Sequence, residues 1–247
     1  MKIIVDNLAI EYEDEGSGPL LLMLHGWGVT AREFDALCHE MREFRIVRLD
    51  LPGFGGSEEL RDVWDVGRYS KFVASFCTKL GITPDILLGH SFGGRIIGRG
   101  LSAGVLRARK VVLIASAGVA RRGTPRNLLY AAVAKVGRII LAPLPRRFYE
   151  RFRSALYARS GSDYLTIRSL SQTFLAVIRE DLSEDMRRIA LPTLIVWGAE
   201  DHITPPDEAE RLHSLVSTSK LVTFPNAGHF VHQEFPREVA AAIKQFV

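Results

Sequence analysis

The sequence predicts an α/β fold, an eight-stranded and mostly parallel sheet with helices on both faces. Short β-type runs alternate with amphipathic stretches over most of the 247 residues, the pattern of a parallel sheet covered on two sides. Leu20-Leu21-Leu22-Met23-Leu24 is apolar at every position, as a strand buried on both faces has to be. A third observation is an interruption. Residues 121–189 hold no strand-like run but several helical periods, so they are expected to form a helical cap inserted between strands 6 and 7.

Residues 2–5 and 9–13 form the first strand pair, with Asp6-Asn7 supplying the turn. The first two or three strands are expected to pair antiparallel. The turn Glu15-Gly16-Ser17-Gly18-Pro19 leads into strand 20–24. Strand-like runs recur at 45–49, 85–88, 110–115, 193–197 and 220–224. Amphipathic periods cover 31–42, 68–80, 207–216 and 236–246. Within the cap, helical periods span 126–141, 146–159 and 162–178, broken at Pro143 and Pro145. The expected division is a core of residues 1–118 and 190–247 around a cap of residues 119–189.

Composition narrows the function classes. With 47% hydrophobic and 24% charged residues, the chain is too apolar for disorder and long enough to bury a full core. Two cysteines, Cys38 and Cys77, exclude a disulfide scaffold and a Cys-rich zinc site, and suit a reducing compartment. Met1-Lys2-Ile3-Ile4-Val5-Asp6 lacks the apolar region of a signal peptide. No apolar run approaches the roughly 20 residues of a membrane helix, so a cytoplasmic protein without a membrane span is expected. The net charge of +4 is uneven: residues 121–188 carry thirteen Arg and one Lys against six acids. Those arginines read as solvated helix faces, as a basic lid that attracts anionic substrates, or as a homodimer surface. Nucleic acid is not expected, because no helix-turn-helix, zinc or RNP-type signature accompanies the charge.

The chemistry centres on Gly89-His90-Ser91-Phe92-Gly93, a G-x-S-x-G pattern. It follows the apolar strand 86–88 and opens a helical stretch at 94–101, the strand–turn–helix setting of a nucleophile elbow. A sharp turn there lifts Ser91 Oγ above the carboxyl ends of the strands, and Gly89, Gly93 and Gly94 let strand and helix approach closely. A serine nucleophile needs a base, and an imidazole base needs an orienting carboxylate. Of seven histidines, His229 stands in a loop after strand 220–224, and Asp201 stands in a loop after strand 193–197. Both lie at the sheet edge where open parallel sheets bind ligands. His25-Gly26-Trp27-Gly28 follows the central strand. Its Trp27 N–H, with the Phe92 N–H, can form an oxyanion hole. His25 reads as a brace of that loop rather than a base.

At this point the chain resembles the α/β-hydrolase superfamily from end to end, through His25-Gly26-Trp27-Gly28, Asp50-Leu51-Pro52-Gly53-Phe54-Gly55-Gly56-Ser57, the elbow, and the Asp201 and His229 loops. The resemblance implies strand 2 antiparallel and a helical cap. It also implies Ser91 as nucleophile, His229 as base, Asp201 as acid, and Trp27 with Phe92 as oxyanion donors. Trp27, Phe54 and Phe230 are candidate substrate contacts; core packing is the alternative for each ring. Glu200 competes with Asp201 for the acid, and the family spacing favours Asp201. Arg95 and Arg99 read as packing or salt-bridge residues.

The expected function is hydrolysis of a carboxylic ester of a small-molecule acyl substrate, through an acyl-enzyme. The alternatives are a carbon–carbon bond hydrolase of the meta-cleavage-product type, a lactonase, or a non-catalytic receptor. Meta-cleavage relatives often carry Asn where His90 stands. No dinucleotide fingerprint or metal-ligand spacing occurs, so neither a cofactor nor a metal is expected.

Overall fold

The computed structural model describes residues 1–119 and 170–247. In chain order the strands are β1 (Lys2–Val5), β2 (Leu8–Glu15), β3 (Leu20–Leu24), β4 (Arg45–Leu49), β5 (Ile86–His90), β6 (Lys110–Ile114), β7 (Thr193–Gly198) and β8 (Ser219–Phe224). The described helices are α1 (Asp35–His39), α2 (Val66–Leu80), α3 (Phe92–Ser102), α4 (Ser171–Arg179), α5 (Ser183–Arg187), α6 (Pro206–Leu215), α7 (Val231–Glu234) and α8 (Pro236–Phe246), with a 3-10 turn at Ala31–Phe34 before α1.

The strands form one sheet in the order β1-β2-β4-β3-β5-β6-β7-β8. β2 pairs antiparallel with both β1 and β4, and every other pair is parallel. The central strands β3, β5 and β7 are buried at every position, which is why their sequences do not alternate. β8, at the edge, is only partly buried. The eight-stranded, mostly parallel sheet inferred from sequence is the observed one.

Local chemistry explains the helix bounds. Asp65 caps α2 by accepting the Arg68 N–H at 2.7 Å, and Gly81 ends the helix at φ 66°, a left-handed step that costs glycine least. Most bounds differ from the sequence reading by one or two residues, and two of the differences bear on the site. The period at 31–42 divides into the 3-10 turn and α1, because Glu33 is drawn inward beside Phe34 to meet polar partners (below). β5 continues through Gly89 and His90, which pair with Leu113 and Ile114 of β6, so the elbow turn is concentrated at Ser91.

The cap helices expected at 126–141 and 146–159, and most of 162–178, lie outside the described residues. The returning segment is described from Leu170. α3 holds it: Arg99 ion-pairs with Glu180 (2.8 Å) and Asp185 (3.1 Å), and Arg95 donates to the Val177 and Glu180 carbonyls, both at 2.6 Å. Burial pushes Arg95 down to about 10, with Glu180 opposing the fall, so it stays charged at neutral pH. Among the described residues no helix is long and apolar enough to cross a membrane.

Candidate active site

Ser91 sits between β5 and α3 at φ 48° and ψ −104°, a backbone region that an L residue occupies only when its surroundings hold it there. Its neighbours are close enough to do so. A Cβ on Gly93 would lie 2.0 Å from the Leu24 carbonyl oxygen, and one on Gly89 would lie 2.5 Å from the Gly94 nitrogen. Both clashes are with backbone, which cannot swing aside. Gly93→Ala is therefore expected to destabilise the fold by about 2–3 kcal/mol, read as a lower urea midpoint; an unchanged midpoint would contradict the close approach. Phe92 is the first residue of α3, so its N–H has no acceptor within the helix and points toward the helix N-terminal end.

The loops after β7 and β8 bring Asp201 and His229 together. His229 Nδ1 lies 2.7 Å from Asp201 Oδ2, and both side chains are buried. Asp201 Oδ1 accepts the Ile203 and Thr204 N–H groups, each at 2.8 Å. Thr204 Oγ1 donates to Oδ2 at 2.7 Å and lies 3.2 Å from His229 Nδ1. Burial raises the Asp201 pKa, but the hydrogen bond and charge of His229, with the Thr204 bonds, outweigh it and hold the carboxyl below the usual carboxylate range. An ionised Asp201 only accepts, so His229 Nδ1 carries a proton, and in the neutral ring Nε2 is then the acceptor. Glu200 is exposed, and among the described residues its backbone N–H meets the Ala227 carbonyl.

His90 ties this loop to the elbow. Its ring lies 4.8 Å from that of His229, centroid to centroid, and its Nε2 is 3.2 Å from the His229 carbonyl. Ser91 follows directly in the chain.

The loop after β3 is braced as its sequence suggested. His25 Nδ1 donates to the Gly26 carbonyl (2.7 Å) and Nε2 accepts the Leu51 N–H (2.9 Å), which leaves a neutral ring in one tautomer. Burial pushes its pKa down. Asp50 accepts the Ala31 and Gly56 N–H groups, both at 2.8 Å. Trp27 meets Phe54 at 5.0 Å, Phe92 at 5.2 Å and Phe174 at 5.1 Å. Trp27 is 9% exposed, and Phe54 and Phe92 are 2% exposed each, so these rings form an aromatic floor around the loop. Phe230 is half-buried and packs against His90 (5.3 Å) and His229 (5.4 Å).

Three residues escaped the sequence reading. Thr204, three places after Asp201, carries a local signal, since an Asp followed by donors two and three residues on is an Asx-type turn. Glu33 and His232 carry none, because they meet His90 only through the fold. Among the described residues Glu33, His90 and His232 form a group whose potential metal-ligand atoms all lie within 4.8 Å of one another, and all three are buried.

Known proteins agree with this architecture. The chain is 29% identical to the AB hydrolase superfamily protein YisY of Bacillus subtilis, across 98% of this chain and 96% of that protein. It is 24% identical to the pimeloyl-acyl-carrier-protein methyl ester esterase of Nitrosomonas europaea, across 93% of this chain and 96% of that protein. The crystal structure of a membrane phospholipase A superposes with a TM-score of 0.80 at 25% identity, covering 100% of this chain and 84% of that one. Residues 21–242 match the Alpha/beta hydrolase family, and the chain belongs to that family.

Proposed function

We propose that this α/β hydrolase cleaves a carboxylic ester, with Ser91 as nucleophile, His229 as general base and acid, and Asp201 as the carboxylate that orients the imidazole. The observation that carries the reading is the buried His229–Asp201 hydrogen bond of 2.7 Å on a loop that touches the residue before Ser91. With the proton on Nδ1, the neutral His229 ring has Nε2 as its acceptor for a hydroxyl.

Ser91 Oγ attacks the ester carbonyl carbon as His229 Nε2 takes its proton. The ionised Asp201 stabilises the imidazolium, and the negative oxygen of the tetrahedral intermediate is received by the N–H groups of Trp27 and Phe92. The intermediate collapses, and the alcohol departs with the proton from His229. Water, deprotonated by the same imidazole, then releases the acid and frees Ser91. Trp27 and Phe230 supply an apolar wall for the acyl group, with Phe54 packed behind Trp27. The methyl ester esterase relative favours an ester over the carbon–carbon alternative. So does His90, whose two ring nitrogens make contacts that Asn, the residue meta-cleavage relatives often carry there, has too few atoms to reproduce.

The test is p-nitrophenyl ester hydrolysis, acetate through decanoate, together with labelling by a fluorophosphonate, on which an activated serine displaces fluoride. Turnover is expected, with a single label on the peptide containing Ser91. A label on another residue, or no label with tight retention of a small ligand, would replace the enzyme reading with a different nucleophile or a receptor.

A further inference from the structure

The group formed by Glu33, His90 and His232 takes no part in the steps above, yet it is buried directly behind them. Glu33 reaches inward from the 3-10 turn, and the two oxygens of its carboxylate serve the loop after β3 and the end of β5. Oε1 accepts the Gly26 N–H at 2.8 Å, one residue before the proposed oxyanion donor Trp27. Oε2 lies 2.9 Å from His90 Nδ1, one residue before Ser91. His90 Nε2 in turn faces the carbonyl of His229, the proposed base, at 3.2 Å.

The proton count follows from the partners. A backbone carbonyl can only accept, so His90 Nε2 must carry a hydrogen. A carboxylate can only accept, so Nδ1 must carry one as well. His90 is then an imidazolium paired with an ionised Glu33, both withdrawn from water. Burial raises the Glu33 pKa, but the charge and hydrogen bond of His90, with the His232 ring beside them, outweigh it and hold the carboxyl far below the carboxylate range, in keeping with the charged form. A buried ion pair survives only when its remaining valences are used, and here the Gly26 N–H and the His229 carbonyl use them. The fit is tight: a Cβ on Gly26 would lie 2.9 Å from His90 Nδ1.

His232 completes the group. Its ring lies 4.5 Å from that of His90, and its Nε2 stands 3.7 Å from Glu33 Oε2, beyond hydrogen-bond range; among the described residues neither ring nitrogen has a hydrogen-bond partner. A second imidazole facing the same carboxylate oxygen is also what a metal site would present. The 2.9 Å contact is nevertheless a hydrogen-bond distance, and both partners' outer atoms are bonded as a proton-sharing pair requires.

We infer that Glu33 and His90 are a positioning pair. They lock the Gly26-Trp27 loop and the His229 loop in fixed register with Ser91, so that oxyanion donor, nucleophile and base are held by one buried charge pair. This rests on the triad reading given above.

The experiment uses the full chain with 15N-labelled histidine. Both ring nitrogens of His90 are expected in the protonated range, and Glu33→Gln should abolish that signature. A neutral His90 in the wild type, or a stoichiometric metal in the purified protein by elemental analysis, would overturn the inference. In kinetics, Glu33→Gln places an amide N–H against either Gly26 N–H or His90 Nδ1–H. It is expected to lower kcat about ten- to a hundredfold while KM stays within about twofold; unchanged kcat overturns the positioning role. Should Glu33→Gln not fold, His90→Asn gives the same reading, since Asn can meet Glu33 but is too short to span to the His229 carbonyl. If the wild type neither hydrolyses esters nor takes the label, the triad reading fails, and the spectrum alone decides the pair: a doubly protonated His90 upholds it and a neutral ring ends it.

Discussion

Ser91→Ala is expected to lower kcat/KM on the preferred p-nitrophenyl ester by at least about 10⁴-fold and to abolish fluorophosphonate labelling, without lowering the thermal midpoint. The two halves of that expectation have separate physical grounds. Alanine keeps the Cβ and must adopt the same φ of 48°, so the strain at the elbow, of order 1–3 kcal/mol, is common to both proteins. The serine side chain makes no capping bond to α3, so no structural hydrogen bond is lost. What disappears is the Oγ, and with it the only atom at the elbow able to form an ester with the acyl group. Residual turnover would come from the oxyanion donors acting on water. Full ester turnover by the variant would end the triad reading.

Asp201→Asn carries the second large effect, about 10⁴-fold in kcat, and it arises from a proton in the wrong place. Oδ1 accepts two backbone N–H groups, so the asparagine oxygen must take that side. Its NH₂ group then occupies the Oδ2 position and donates to His229 Nδ1. The imidazole answers by carrying its proton on Nε2, so in the proposed mechanism the serine would meet a hydrogen instead of a lone pair. Thr204 Oγ1 can turn its proton to the Ala115 carbonyl, 3.3 Å away, so the loop keeps its shape and the loss falls on kcat. Glu200→Gln, on the exposed neighbour, is expected to behave as wild type. Stability should respond to pH as well. The Asp201 carboxyl is depressed in the folded state, so its stabilisation is full above the unfolded value of about 3.9 and is lost as pH falls through the lower folded value. The asparagine variant should lose that acid limb, which a urea titration between pH 5 and 3 reads directly (about that window, from the unfolded carboxylate value).

Much of this molecule was legible before any coordinates. Leu20–Leu24, Arg45–Leu49 and Pro236–Phe246 have the bounds their patterns implied, because burial on both faces of a central strand, or on one face of a terminal helix, writes directly into residue type. The elbow was legible because close backbone approach tolerates only glycine at positions 89 and 93, and a pattern of small residues survives in the sequence. Asp201 and His229 could be picked out because strand ends lie on one edge of a parallel sheet, so residues far apart in the chain are known to converge there.

Glu33, His90 and His232 were not legible as a group. Nothing in Arg32-Glu33-Phe34 distinguishes an inward carboxylate from a solvated one, and a regular helix over 31–42 would not have buried Glu33 and Phe34 side by side. The bounds of the central strands β3 and β4, the elbow and the candidate triad positions were thus legible in the sequence alone, since local sterics and burial periodicity act over a few residues. The protonation of His90 and the joint anchoring of two loops by Glu33 were decided only in the tertiary structure, because a proton's position depends on which acceptors a fold brings within 3 Å of each ring nitrogen, about the hydrogen-bond limit.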